Sequence, residues 1–152
     1  TPTSTGGYLH ISLSRTFPLR FPDIVPFRET LDIGVNAYAR STAGHGCFTM
    51  ALQRLKLFTN EDRSRSFISL CAAETRSGSD QQAKLVRLIH EVVDPACISV
   101  GAPRFYDPAE PHLSIVWTLG DLTPLVDIKQ LQAEVESSLS QAGSSTQTET
   151  RP

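Results

Sequence analysis

The run Tyr106–Asp121, YDPAEPHLSIVWTLGD, sets His112 and Ser114 two apart inside an apolar segment. Residues two apart on a β-strand stand on the same face, so this run reads as a strand with His112 and Ser114 side by side and Leu113, Ile115 and Trp117 turned the other way. The same arrangement recurs near the start of the chain in GGYLHISLSRT, with His10 and Ser12 on one face and Leu9, Ile11 and Leu13 on the other. Each segment predicts a strand with one polar face and one face toward the core.

Two such polar faces brought together give a groove with two imidazoles and two hydroxyls. Imidazole titrates near neutrality, so one ring can take a proton while the other gives one, and hydroxyls can donate to charge held between them. That is the apparatus for cleaving a phosphodiester without a metal. Either pair alone is a weak signal, since polar residues also line solvated strand faces.

Outward from the two pairs, the chain alternates strands and helices. Thr1 to Gly7 is a polar lead-in, and the first strand covers Tyr8 to Ser14. A helix opened by Pro22 to Pro26 follows, its stripe formed by Ile24, Phe27, Leu31, Val35 and Tyr38, with Arg28, Glu29, Asp32 and Asn36 on its polar side. Cys47 to Phe58 predicts a long strand whose apolar phase switches at a bulge. Thr59 to Ser64 is a turn, and Phe67 to Ala73, apolar on both faces, reads as a central strand returning beside it. The next helix, capped by Ser79 or Asp80, carries Leu85, Leu88, Ile89 and Val92 and stops at Asp94-Pro95, with His90 at the stripe's boundary. Cys97 to Tyr106 is a connection, and Leu125, Ile128, Leu131, Val135 and Leu139 trace a last helix. From Gln141 to Pro152 the composition is that of a disordered tail, which leaves residues 1–140 as one domain.

The chain has 152 residues, 39% hydrophobic and 20% charged, with a net charge of −2. That is enough to bury a core, and it carries no global basic field for non-specific duplex binding. A groove gripping a few nucleotides remains compatible, and Arg15, Arg54, Lys56 and Arg104 are candidate phosphate contacts, each also readable as surface charge. Cys47, Cys71 and Cys97 lie among apolar residues without C-x-x-C spacing, which predicts reduced, buried thiols of an intracellular protein. No apolar run is long enough to span a bilayer. His45-x-Cys47 has ligand-type residues but no second cluster, so no metal is expected.

The two segments GYLHISLSR and PHLSIVWTLGD resemble the paired H-x-S/T motifs of the 2H phosphodiesterase superfamily. With the tyrosine six residues before the second histidine and the middle segment LKLFTNEDRSRSFISL, the stretch from Gly7 to Asp121 resembles the U6 snRNA phosphodiesterase family, poly(U)-specific 3′-to-5′ exoribonucleases. The resemblance implies an α/β (α+β) fold of two pseudo-symmetric lobes, antiparallel sheets flanked by helices, with one H-x-S strand per lobe. It implies His10 and His112 as catalytic histidines, Ser12 and Ser114 as phosphate-contacting hydroxyls, and Tyr106 as the aromatic that stacks on a base. It also implies a cofactor-free nuclear enzyme, expected as a monomer, that trims the oligouridine 3′ tail of U6 snRNA and leaves a 2′,3′-cyclic phosphate or 3′-phosphate end. The family has a further strand and helix before the first motif and strands after the last helix, so one lobe is expected to lack its edge strands. Two alternatives stay open: a phosphodiesterase that opens 2′,3′-cyclic ends, and an inactive homologue that binds single-stranded RNA. Which histidine begins as the base is also open.

Overall fold

The computed structural model describes residues 9–41, 50–73 and 76–145. Along them a single 3-10 turn, Phe21–Asp23, leads into α1 (Ile24–Ser41); then follow β1 (Leu52–Thr59), β2 (Arg65–Ala72), α2 (Arg76–Leu88), a π-helical turn (Ile89–Val93), α3 (Asp94–Ser99), β3 (Leu113–Leu119) and α4 (Ile128–Ser145). The strands form one sheet in the order β1-β2-β3. Backbone bonds Asn60 N to Arg65 O and Ala73 N to Ala51 O make β1 and β2 an antiparallel hairpin, and Gly120 N to Ser64 O runs β3 antiparallel to β2. The mixed α/β class holds, and β2, apolar on both faces in sequence, is the central strand.

Two compact units divide these elements. The first takes the chain up to Gln53 together with Cys71–Leu113; the second takes Arg54–Leu70 and everything from Ser114 onward.

In the first unit the core lies where α1 meets the π-helical turn and α3. Ile89 and Ala96 are 0% exposed, Cys97 1% and Val92 2%. Of the predicted α1 stripe Phe27, Leu31 and Tyr38 are half-buried, while Val35 is 47% exposed and Ile24 44%, and Gly34 stands on the packing face beside Val35. Gly34 takes the place expected of Val35. A Cβ there would stand 2.9 Å from Val92 Cγ1, so the absent side chain is what lets the two backbones approach. The polar face of Arg28, Glu29, Asp32 and Asn36 is exposed as expected.

The second long helix differs from expectation at both ends. It opens at Arg76, ahead of the predicted cap, and it does not stop at Asp94-Pro95. The turn widens instead: Asp94 N–H reaches back to Ile89 O, a five-residue step. Proline lacks the N–H that an α-helical interior requires and clashes with the preceding turn, but it fits a helix's first turn, so Pro95 begins α3 rather than ending the helix. The buried stripe Leu85, Ile89 and Val92 is as read from the sequence. α3, which takes in Cys97 to Ser99 from the predicted connection, ends at Gly101. There φ is +70°, Ala102 N bonds Cys97 O and Gly101 N bonds Ile98 O, the double bond of a glycine C-cap. Cys71 and Cys97 are buried thiols, 3% and 1% exposed, and burial pushes the Cys97 pKa upward, with the Asp94 carboxylate adding to it. Cys47 lies outside the described residues, as does the first part of the predicted strand that was to hold a bulge; β1 opens at Leu52.

In the second unit β1 is fastened to α4 by Leu55 N–H donating to Gln132 Oε1 at 2.6 Å. Asp127 caps α4, its Oδ1 accepting from Lys129 N and Gln130 N at 2.9 and 3.2 Å. The helix runs to Ser145, into the segment read from composition as tail; the residues after it lie outside those described. The expected core face of β3 is open: Ile115 is 41% exposed and Trp117 62%. None of the described helices is long and apolar enough to cross a membrane.

Candidate active site

The first H-x-S segment pairs with the second. Ile11 and Leu113 form an isolated antiparallel bridge, so among the described residues the strand predicted for Tyr8 to Ser14 shows one rung, Tyr8 lying outside them. Leu9, expected on the core face, is 67% exposed, and burial that would hold a longer ladder in place is missing there. The rung nevertheless fixes the register. Opposed residues in an antiparallel pair share a face and their neighbours turn to the other, so Ser12 comes across from His112, and His10 lies on the same side as Ser12. These three residues all belong to the first unit; His10 and Ser12 are exposed and His112 is half-buried.

The ring of His112 is oriented by the backbone. Its Nδ1 lies 2.7 Å from Glu110 O, and a carbonyl oxygen only accepts, so Nδ1 carries the hydrogen. In the neutral ring the basic lone pair is then on Nε2. Fixing one nitrogen assigns proton exchange to the other.

Ser114 opens the second-unit part of β3, and its Oγ is 3.1 Å from Ser69 Oγ on β2. Ser69 is 0% exposed. Sequence reading placed Ser69 only inside the middle segment of the resemblance and gave it no role.

Tyr106, 45% exposed, stands in the loop before β3 with the Arg15 guanidinium 4.1 Å above its ring and the Phe105 ring edge-on at 5.4 Å. Arg15, a candidate phosphate contact, thus sits on the aromatic. The loop is anchored from α3: Phe105 N–H donates to Asp94 Oδ1 at 2.7 Å, and the other oxygen of this buried carboxylate faces His90 Nδ1 at 3.0 Å. The sequence predicts a helix stop at Asp94 and a boundary position for His90. Their spacing of four on one helical face is the signal that pairs them, and the Phe105 contact has no trace in sequence. Of the other candidate cations, Lys56 lies 5.2 Å over the Phe58 ring, within the second unit, and Arg104 is exposed.

Among the described residues no three His, Cys, Asp or Glu are grouped to hold a metal ion; His45 and Cys47 lie outside those residues.

Comparison with known proteins agrees with the motif reading. The HVSL family, described as an uncharacterised conserved protein, matches residues 4–151. U6 snRNA phosphodiesterase 1 of Drosophila melanogaster is 35% identical over 121 residues, 80% of this chain and 42% of the fly protein. The human protein of that name is 33% identical over 130 residues, 84% of this chain and 44% of its own length. The mouse protein is 31% identical over 123 residues, covering 81% and 41%. The chain therefore spans about two fifths of the length of these curated relatives. With nearly its whole length matched and both histidine segments inside the match, the chain belongs to the HVSL family.

Proposed function

We propose that this chain carries the two-histidine site of a metal-independent 3′-to-5′ RNA phosphodiesterase that trims the oligouridine tail of U6 snRNA in the nucleus. The observation that carries the reading is the Ile11–Leu113 rung, because it sets the first histidine segment against the second. The name shared by the fly, human and mouse relatives supports the U6 snRNA substrate, and the motif resemblance supports the oligouridine end.

In this reaction one imidazole removes the proton of a ribose 2′-OH. The freed oxygen attacks the adjacent phosphorus and the bond to the 5′-oxygen breaks, that oxygen taking a proton from the other, protonated imidazole. The RNA is left with a 2′,3′-cyclic phosphate. Water in place of the sugar hydroxyl can repeat the exchange and open the ring to a 3′-phosphate. His112 takes part through Nε2, since Glu110 O holds Nδ1–H. Ser12 and Ser114 donate to non-bridging oxygens as charge grows on them. A uridine base stacks on the Tyr106 ring face away from Arg15.

An RNA ending in oligouridine, offered to the chain with chelator present, tests this. Stepwise shortening with cyclic-phosphate or phosphate ends is expected, and His10→Ala and His112→Ala should each abolish it while circular dichroism stays unchanged; near-normal turnover by either variant sinks the assignment. Tyr106→Ala should weaken oligouridine binding by about 1–3 kcal/mol, roughly five- to 150-fold in Kd. Consumption of a cyclic mononucleotide in preference to the oligomer would select the ring-opening alternative. Binding that depends on Tyr106 without any turnover would select the inactive RNA-binding one.

A further inference from the structure

β2 carries two serines that are 0% exposed, Ser66 and Ser69, and their hydroxyls are used differently. Ser66 Oγ donates to Gly120 O and accepts from Leu122 N–H, both at 2.8 Å, so each of its roles is taken by backbone at the far end of β3. Ser69 meets a side chain instead, the Ser114 hydroxyl at 3.1 Å. A hydroxyl proton sealed from water has to find an acceptor or its burial is costly, and the acceptor beside Ser69 is Ser114 Oγ. Ser114 is exposed and can meet its own hydrogen-bonding needs from solvent or substrate. Burial therefore decides the direction: Ser69 donates and Ser114 accepts.

We infer that Ser69 is a positioning residue for the phosphodiesterase reaction, holding a lone pair of Ser114 so that the Ser114 proton points outward at a phosphate oxygen. The inference rests on the function proposed above and adds a residue that touches no substrate itself. A hydroxyl accepting from behind is also the better donor in front, because chained hydrogen bonds polarise one another.

The test compares kcat and KM on oligouridine RNA for Ser69→Ala, Ser114→Ala, the double variant and Ser66→Ala, with melting curves confirming that each is folded at the assay temperature. Ser114→Ala should lose about a hundredfold in kcat and Ser69→Ala about tenfold, with KM unmoved in the latter. The double variant should match Ser114→Ala alone, since Ser69 has nothing to act on once that hydroxyl is gone. Ser66→Ala, as deeply buried but bonded to backbone, should lower the melting temperature and leave kcat of the folded protein unchanged. A Ser69→Ala kcat within about twofold of the parent overturns the inference, as does a double variant that falls by the product of both losses. If His112→Ala is dead in the same assay while Ser69→Ala is normal, Ser69 alone has been misread. If His112→Ala and Ser114→Ala both turn over normally, the proposed function falls and this inference with it.

Discussion

In the first unit Ile89, Val92, Ala96 and Cys97 are all 2% exposed or less, whereas along β3 of the second unit Ile115, Val116, Trp117 and Leu119 keep 41%, 54%, 62% and 73% of their surface in solvent. α4 adds to the contrast, with Val135 39% and Leu139 67% exposed. Two helices with apolar stripes can close on each other, as α1 does on the π-helical turn at Gly34, and remove both stripes from water. β3 is paired to β2 along one edge, so pairing satisfies its backbone without covering the side chains of its Ile115, Trp117 and Leu119 face. Besides the buried Leu55, specific polar contacts fasten the second unit: Ser66 to Gly120 and Leu122, Ser69 to Ser114, Gln132 to Leu55, and the Arg63–Asp121 ion pair. The deepest apolar burial lies in one unit, and side-chain hydrogen bonds tie β2 to the end of β3 in the other.

Truncating one apolar residue in each unit should break them unequally. Ile89→Ala removes a 0% exposed side chain and should cost about 2–5 kcal/mol, through lost burial and the cavity left behind. Leu119→Thr, at a 73% exposed strand position, should stay within about 0.5 kcal/mol. Urea unfolding checks this as a shift in midpoint at unchanged slope. Equal losses would mean that the β3 side chains are packed in solution and that the two units are held alike.

The same division governs what the sequence disclosed. Helical stripes and the hairpin are local patterns, so Leu85, Ile89 and Val92, the turn after Thr59 and the central place of β2 were legible. His10, Ser12, His112 and Ser114 stood out because period-two spacing is also local. The length of the first strand was not legible, because a strand is only as long as the ladder that a distant partner supplies, and among the described residues that ladder is the Ile11–Leu113 rung. Gly34 was passed over for Val35, since an apolar stripe is counted from side chains and a close helix contact is made by the lack of one. Pro95 was read as a stop because the compensating five-residue turn cannot be seen before Asp94 N–H has chosen Ile89 O. Asp94 and Ser69 also bond partners in other elements, Phe105 and Ser114, and nothing in their own neighbourhoods announces those contacts.

Acid offers a finer cut between the units, because Asp121 is among the polar fastenings of the second. Its carboxylate accepts from Thr123 and from Arg63 Nε at 2.7 Å, and these bonds, those from Thr123 first, hold its pKa down to about 2 from an ordinary 3.8. A carboxylate whose pKa is lowered by folding stabilises the fold above its unfolded value, and that contribution is lost as pH falls through the folded one. Asp62 in the hairpin turn is lowered too, by bonds from Ser64, so it works in the same direction. Acid titration from 3.8 toward about 2 should therefore loosen the hairpin turn and the end of β3 before the helical core, seen as amide exchange rising at Arg65, Gly120 and Leu122 ahead of Ile89 and Val92. Asp121→Asn removes the titrating charge while keeping an oxygen to accept from Thr123, so it should flatten the pH dependence of the urea midpoint across that window. A midpoint that still falls as steeply in the variant would assign acid sensitivity to other carboxylates and release Arg63–Asp121 from its place among the contacts that hold β3.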